Sequence, residues 1–161
     1  MSTLHLLFTI CLLYTSLELG LPGMRVLQFG FSSKGAHMHL PHRFTPETVA
    51  YTGTHDNDTT QGWWNTASNT ERNAVEALVG PVDGRPVWPL IRAASASIAE
   101  MAIVPAQDLL ELGSDARMNT PAVPAGNWSW RAPESSWTPE LAARLADLEE
   151  VTDRDNDPRC V

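Results

Sequence analysis

Three short apolar segments, separated by loops and helical patterns, limit most strongly the folds open to this chain. Residues 24–31 begin after Gly23, residues 48–52 form a second apolar run, and residues 101–104 end at Pro105. Short apolar runs with turn residues at their ends are typical of buried strands. Because strands that alternate with helices form parallel sheets, this order predicts an α/β fold with about three parallel strands.

Helix signals lie between and after these segments. A capping box at 68–71, with the sequence Ser-Asn-Thr-Glu, opens a helix that we expect to end at Gly80. Apolar residues recur at helical spacing from Trp88 onward, and Thr138 followed by Pro139 predicts the start of a last helix. The outer strands of such a small parallel sheet would expose unpaired backbone, so the sequence predicts an incomplete sheet.

The composition limits the classes of partner. The chain has 161 residues, of which 43% are hydrophobic, and a formal net charge of −8 at pH 7. This length suits one domain with a hydrophobic core. Nucleic acid and anionic membrane are excluded as main partners because neither would be attracted to a negative protein, whereas a neutral sugar fits.

The cysteines and the apolar start of the chain bear on the compartment. Only Cys11 and Cys160 are present, which gives neither a disulfide framework nor the spacing of a metal site. Residues 6–17 are apolar, but no Lys or Arg precedes them and no clear cleavage site follows. The segment is also too short to cross a bilayer. We therefore expect a cytoplasmic protein.

The polar run at 51–64 is the strongest functional signal in the chain. Its sequence, YTGTHDNDTTQGWW, leads from the end of a predicted strand through packed hydrogen-bonding side chains to Trp63 and Trp64. A pair such as His55 and Asp56 at the carboxyl end of a strand can direct donors and acceptors into a cleft, as a sugar site requires. The alternative is an Asx-rich turn with a purely local role.

Further polar candidates follow the third predicted strand. Gln107 and Asp108 come directly after it, again at the position where a β/α barrel places ligand groups. The stretch 113–131 is rich in Pro and Gly and contains Asn119, so we expect an ordered loop.

Five blocks of sequence occur in the order of a known enzyme family. They are GLPGMRVLQF at 20–29, TGTHDNDTT at 52–60, IVPAQD at 103–108, RMN at 117–119 and GNWSWR at 126–131. On these residues the chain resembles the 4-α-glucanotransferases, also called amylomaltases or disproportionating enzymes. The resemblance covers residues 19–154, and this implies the C-terminal portion of a (β/α)8 barrel.

The resemblance also implies a reaction and roles for named residues. The family transfers α-1,4-glucan segments between maltooligosaccharides by a retaining double displacement that needs two carboxyl groups and no cofactor or metal. Asp56 matches a third carboxylate, which holds the hydroxyls of the sugar undergoing displacement. His55 would orient that sugar. Further contacts to glucose would come from Asn119 and from Gln107 or Asp108. Stacking faces for glucose would come from Trp63, Trp64, Trp128 and Trp130, with burial in the core as the favoured alternative for each single tryptophan.

The chain departs from the family pattern at its beginning. The nucleophilic aspartate and the acid/base glutamate of the family lie upstream of the Pro-Gly-Met block, and Glu18 does not have the sequence setting of that glutamate. We therefore expect residues 1–18 to be an atypical stretch outside the family sequence, residues 155–161 to be a frayed tail, and the isolated chain to be inactive.

Two other functions remain open at this stage. A metal-dependent hydrolase could use the clustered ligands His37, His39, His42, His55, Asp56 and Asp58. A non-catalytic glucan-binding fragment could retain part of a sugar-binding surface without the reacting carboxyl groups. Metal analysis would separate the first from the family reading, and a transfer assay would separate the second.

Overall fold

A computed structural model describes residues 19–32 and 34–154. Three strands, β1 (Gly23–Val26), β2 (Thr48–Tyr51) and β3 (Met101–Ile103), form one parallel sheet in the order β1-β2-β3. Gly23 pairs with Thr48, and Tyr51 pairs with Ile103. The predicted α/β fold with three parallel strands is confirmed. The predicted atypical stretch at 1–18 and the predicted frayed tail at 155–161 lie outside the described residues.

Helices connect and follow the strands. They are α1 (Leu27–Gly30), α2 (Thr60–Thr66), α3 (Asn69–Val79), α4 (Val87–Ser95), α5 (Ala106–Leu109) and α6 (Pro139–Val151). Short 3-10 turns occur at Lys34–His39, Pro41–Arg43, Ser114–Ala116 and Glu134–Ser136. Within the two described ranges, no helix is both long enough and apolar enough to cross a membrane.

The first predicted strand was too long. The strand ends at Val26, and Leu27–Gly30 forms a helical turn that buries Leu27 and Gln28. A short apolar run does not by itself distinguish a strand from a buried helical turn. The Val26 amide donates to Nδ1 of His39 at 3.0 Å. The His39 side chain thus satisfies this backbone donor at the bend where the strand ends.

The predicted helix signals around α3, α4 and α6 are confirmed. Ser68 and Glu71 form the reciprocal capping box before α3, with the Ser68 amide 2.8 Å from Glu71 Oε2. The Thr138 hydroxyl caps α6 by accepting from the Leu141 amide at 3.2 Å. Helix α2 was not predicted, because its residues read as a continuation of the polar run.

Two apolar clusters hold the helices to the sheet. Leu27 and Ala50 pack with Val75 of α3 and Leu90 of α4 in the larger cluster. In the smaller cluster, residues of α4 pack against Leu148 of α6. We call α3, α4 and α6 the helical layer. Burial of each large aliphatic side chain contributes about 1.5–3 kcal/mol, so apolar packing is the main source of stability in this layer.

The outer strands expose apolar side chains. Met24 on β1 is 56% exposed, and Met101 and Ile103 on β3 are 49% and 40% exposed. Among the described residues, β1 and β3 each pair with β2 alone. Buried strands of a parallel sheet normally have both faces covered, so these two edges differ from the usual environment of such strands.

Candidate functional site

A cavity of about 440 Å³ lies at the carboxyl ends of β2 and β3. Its lining comes from the residues that follow these two strands and from the loop that ends at Trp128. We call residues 52–60, 105–108 and 117–128 the cavity edge. Among the predicted site residues, His55, Asp56, Gln107 and Asp108 line the cavity. Ligands of parallel α/β sheets bind at this end, so the position fits a binding site.

Asp56 is a half-exposed carboxylate in this lining. Asn119 donates a hydrogen bond from Nδ2 to Asp56 Oδ1, and Nε2 of His55 lies 3.4 Å from the same oxygen. No residue of the described part of the chain bonds Asp56 Oδ2. The structure therefore brings His55, Asp56 and Asn119 together, and one carboxylate oxygen remains open to a ligand.

Arg117 fixes the backbone beneath this group, although sequence reasoning did not single it out. Its Nη2 donates to the Asp56 carbonyl at 2.7 Å, and its Nε donates to the Asn119 carbonyl at 2.8 Å. The Asn119 amide donates in turn to the His55 carbonyl at 3.1 Å. These bonds join two loops that are distant in sequence. The block RMN at 117–119 contained the signal, but the prediction took only Asn119 from it.

Asp108 is almost fully buried and is held by two threonines. Its Oδ2 accepts from the Thr52 hydroxyl at 2.6 Å and from the Thr60 hydroxyl at 2.7 Å, and its Oδ1 accepts from the Thr60 amide at 2.7 Å. Burial raises the pKa of this carboxyl above its usual range, while the threonine hydrogen bonds act in the opposite direction.

The three bonds of Asp108 connect the end of β2 to the start of α2. Because both carboxylate oxygens already accept from the fold, the geometry favours a positioning role over direct contact with a ligand. Gln107 is also buried, and its Nε2 donates to the Ala116 carbonyl at 3.2 Å. It ties the cavity lining to the loop that carries Arg117.

Asp58 is the third carboxylate in the lining. Its Oδ1 accepts from the Thr59 amide at 2.8 Å, and its Oδ2 accepts from the Ser114 hydroxyl at 2.8 Å. A β-carbon at position 62 would lie only 2.6 Å from Asp58 Oδ1, so glycine at this position leaves the room that the contact needs. Asp58 thus anchors the start of α2 to the 3-10 turn at Ser114–Ala116.

The tryptophans of the polar run do not face the cavity. Trp63 lies on α2, where its ring is 5.8 Å from the ring of Phe31 and packs against the larger apolar cluster. Trp63 therefore lies outside the lining of this cavity, and its contact with a sugar stays a prediction. Trp63 faces the core because it lies on helix α2, which was not predicted from the sequence. Trp64 is buried in the same cluster.

Trp128 is the tryptophan that does line the cavity. It is 55% exposed, and its ring centroid is 5.0 Å from that of His55. The Trp128 amide donates to the Met118 carbonyl at 2.7 Å, which ties the ring's loop to the residue before Asn119. Trp130, by contrast, borders a separate depression beside Arg131 and Pro133.

The geometry gives no support to a metal centre built on the histidines. Among the described residues, no group of three or more His, Cys, Asp or Glu side chains could hold a metal ion. His39 already accepts the Val26 amide on Nδ1. Burial, together with the positive charge of Arg25, lowers the pKa of His39 below its usual value.

Comparison with known proteins gives one consistent result. The family model described as 4-alpha-glucanotransferase matches residues 9–136. The chain is 46% identical over 131 residues to a chloroplastic/amyloplastic 4-alpha-glucanotransferase from Solanum tuberosum, covering 81% of this chain and 23% of the relative. It is 42% identical over 143 residues to a Thermus thermophilus 4-alpha-glucanotransferase, covering 84% of this chain and 29% of the relative.

The structural comparison agrees with the sequence comparison. An amylomaltase from Streptococcus agalactiae in complex with acarbose superposes with a TM-score of 0.82 at 31% identity. The match covers 88% of this chain and 29% of that chain. The chain thus spans less than a third of the length of the relatives and of the solved structure that it matches.

Proposed function

Because this chain belongs to the 4-alpha-glucanotransferase family, we propose that its cavity binds α-1,4-glucans and forms part of a retaining glucan-transfer site. The observation that carries this proposal is the arrangement of Asp56, with one oxygen contacted by Asn119 and His55 and the other without a hydrogen-bond partner among the described residues. A carboxylate with a free oxygen accepts hydrogen bonds from two neighbouring sugar hydroxyls well, since charge-assisted bonds are the stronger ones.

In the proposed mechanism, Asp56 acts on the sugar that undergoes displacement. A carboxylate nucleophile attacks the anomeric carbon, the glycosidic bond breaks, and a carboxylic acid protonates the leaving oxygen. The acceptor hydroxyl then gives its proton back to that group as it displaces the enzyme from the anomeric carbon. Bonds from the sugar hydroxyls to Asp56 tighten as the ring flattens, and this lowers the barrier.

The nucleophile and the acid/base, we propose, come from outside the cavity edge of this chain. Asp58 and Asp108 line the same cavity, but both oxygens of each already accept hydrogen bonds from the protein. Asp56 is the remaining carboxylate of the lining. This supports a chain that binds glucan and is inactive alone, and it keeps the non-catalytic glucan-binding reading as the second candidate.

The proposal extends to the architecture and the place of action. Strands β1–β3 would be part of a (β/α)8 barrel, which accounts for the apolar side chains exposed on β1 and β3. The partners would be maltooligosaccharides and longer α-1,4-glucans. We propose the cytoplasm as the compartment, in line with a chain whose two cysteines form no framework.

A graft tests the role of Asp56 in transfer. Residues 19–154 of this chain would replace the matched segment of the Thermus thermophilus relative, and glucose release from maltotriose would give the reference rate. Asp56→Asn in the graft should lower kcat at least about 100-fold, as expected for the loss of a transition-state contact. Asp147→Asn, an exposed change on α6, is the matched control.

The outcomes of the graft separate the candidates. A transfer rate near the reference in the Asp56→Asn graft would show that this carboxylate has no part in the reaction. Glucose release by the unmodified 161-residue chain alone would contradict the view that the reacting carboxyl groups lie outside its cavity edge. Glucan binding without release is the result that the proposal predicts for the chain alone.

A further inference from the structure

Trp128 presents a large apolar surface beside a polar cavity lining. Its side chain is 55% exposed, whereas Trp64 and Trp88 lie buried in the apolar clusters. An exposed indole forgoes the stabilisation that burial of its large surface would give. The exposed Trp128 ring therefore adds little to the stability of the described fold. A ligand that covered the ring would gain binding free energy from the burial of this apolar surface.

The loop holds Trp128 in place in an unusual backbone conformation. The φ angle of Trp128 is 61°, in the left-handed region that is costly for a residue with a β-carbon. Hydrogen bonds fix both sides of the residue: its amide donates to Met118, and its carbonyl accepts from Arg131 Nη1 at 3.1 Å. Asn127 Oδ1 accepts the Thr120 amide at 2.9 Å and closes the same loop.

The ring position relates Trp128 to Asp56. The Trp128 and His55 rings lie 5.0 Å apart at an interplanar angle of 40°, and His55 in turn contacts the Asp56 carboxylate. An aromatic ring next to hydroxyl-binding groups suits a pyranose, which has apolar C–H faces and a polar rim. Offset contacts with the face of an indole are favourable, and burial of apolar surface adds to them.

We propose that Trp128 is a stacking platform for a glucose unit next to the unit held by Asp56. This inference rests on the proposed function and deepens it, because it makes Trp128 a determinant of preference for oligosaccharides over free glucose. The strained loop fixes the indole before the ligand binds, so binding costs little conformational entropy in this loop.

The indole N–H signals of the 161-residue chain give the first test. The chain would be labelled with ¹⁵N, and the six tryptophan indole signals would be assigned with Trp→Phe variants. On titration with maltotriose, the Trp128 signal should shift and saturate. Trp137 is the matched control, since it is 52% exposed and does not line the cavity, and its signal should stay in place.

Affinity measurements on variants give the second test. Trp128→Ala should weaken maltotriose binding about tenfold, the equivalent of one favourable aromatic contact with its buried area. Trp128→Phe keeps an aromatic face and should recover most of the affinity, while Trp137→Ala should match the unchanged chain. The preference of the unchanged chain for maltotriose over glucose should shrink in Trp128→Ala.

The outcomes separate this inference from the proposed function. If the backbone amides of His55 and Asp56 shift with maltotriose while the Trp128 indole does not, the platform is wrong and the sugar site stands. If no signal of the cavity edge shifts in the folded chain, both are overturned. Equal affinities of Trp128→Ala and Trp137→Ala for maltotriose would also overturn the platform.

Discussion

The helical layer and the cavity edge are stabilised by different forces. In the helical layer, apolar side chains such as Val75 and Leu90 pack in a buried cluster. At the cavity edge, hydrogen bonds that Arg117 and Asn119 donate and that Asp108 accepts join loops that are far apart in sequence. The helical layer thus stabilises the fold through apolar packing, while hydrogen bonds at the cavity edge hold a few polar groups in one specific geometry.

The largest effect that we expect within the helical layer is on stability. Leu90→Ala removes a side chain that is 1% exposed, and it should lower the free energy of unfolding by about 2–5 kcal/mol because a cavity remains. Urea denaturation measures this change. Leu78→Ala on α3, where the leucine is 36% exposed, is the control and should cost much less. Equal losses in the free energy of unfolding of the two variants would contradict the expected difference between buried and exposed positions of this layer.

A smaller effect, measured as a loss of ligand affinity, is expected at the cavity edge. Arg117→Ala removes the bonds to the Asp56 and Asn119 carbonyls and should weaken maltotriose binding about tenfold, because Asp56 loses its fixed position. Titration calorimetry measures the affinity. Arg92→Ala on α4 is the control. An unchanged affinity with Arg117→Ala would show that Asn119 alone is enough to position the carboxylate.

The smallest effect that we expect is a change of stability with pH, caused by His39 at the bend after β1. Burial lowers the pKa of His39, so the folded protein resists protonation there more than the unfolded chain does. The free energy of unfolding should therefore fall as the pH drops below about 6.5, and this fall should end below the lowered pKa. Urea denaturation at several pH values tests this. His39→Gln should remove that part of the pH dependence, and an identical pH profile would contradict it.

The sequence predicted the helical layer better than the cavity edge for a physical reason. The signals for these helices are local: helix caps at Ser68 and Thr138, and apolar residues at helical spacing. Local signals can be recognised in the sequence alone. The first strand was overestimated because burial alone does not separate a strand from the helical turn at Leu27–Gly30.

At the cavity edge, the sequence located the polar groups but not all of their partners. His55 and Asp56 were identified because they follow a strand, and Asn119 because its block matched a family. The bonds of Arg117 span 61 residues to Asp56, and those of Asp108 span 56 residues to Thr52. No local pattern encodes such distances. The packing of Trp63 against Phe31 was not predicted for the same reason, since it depends on helix α2.

Binding of maltoheptaose to the 161-residue chain and to its Asp56→Asn variant is the most direct test of the central claim. The account predicts saturable binding by the unchanged chain, at least about tenfold weaker binding by Asp56→Asn, and no change in an Asp147→Asn control. Circular dichroism and urea denaturation would establish that all three are equally folded. Equal affinities of the unchanged chain and Asp56→Asn, or no binding by the folded chain, would contradict the account.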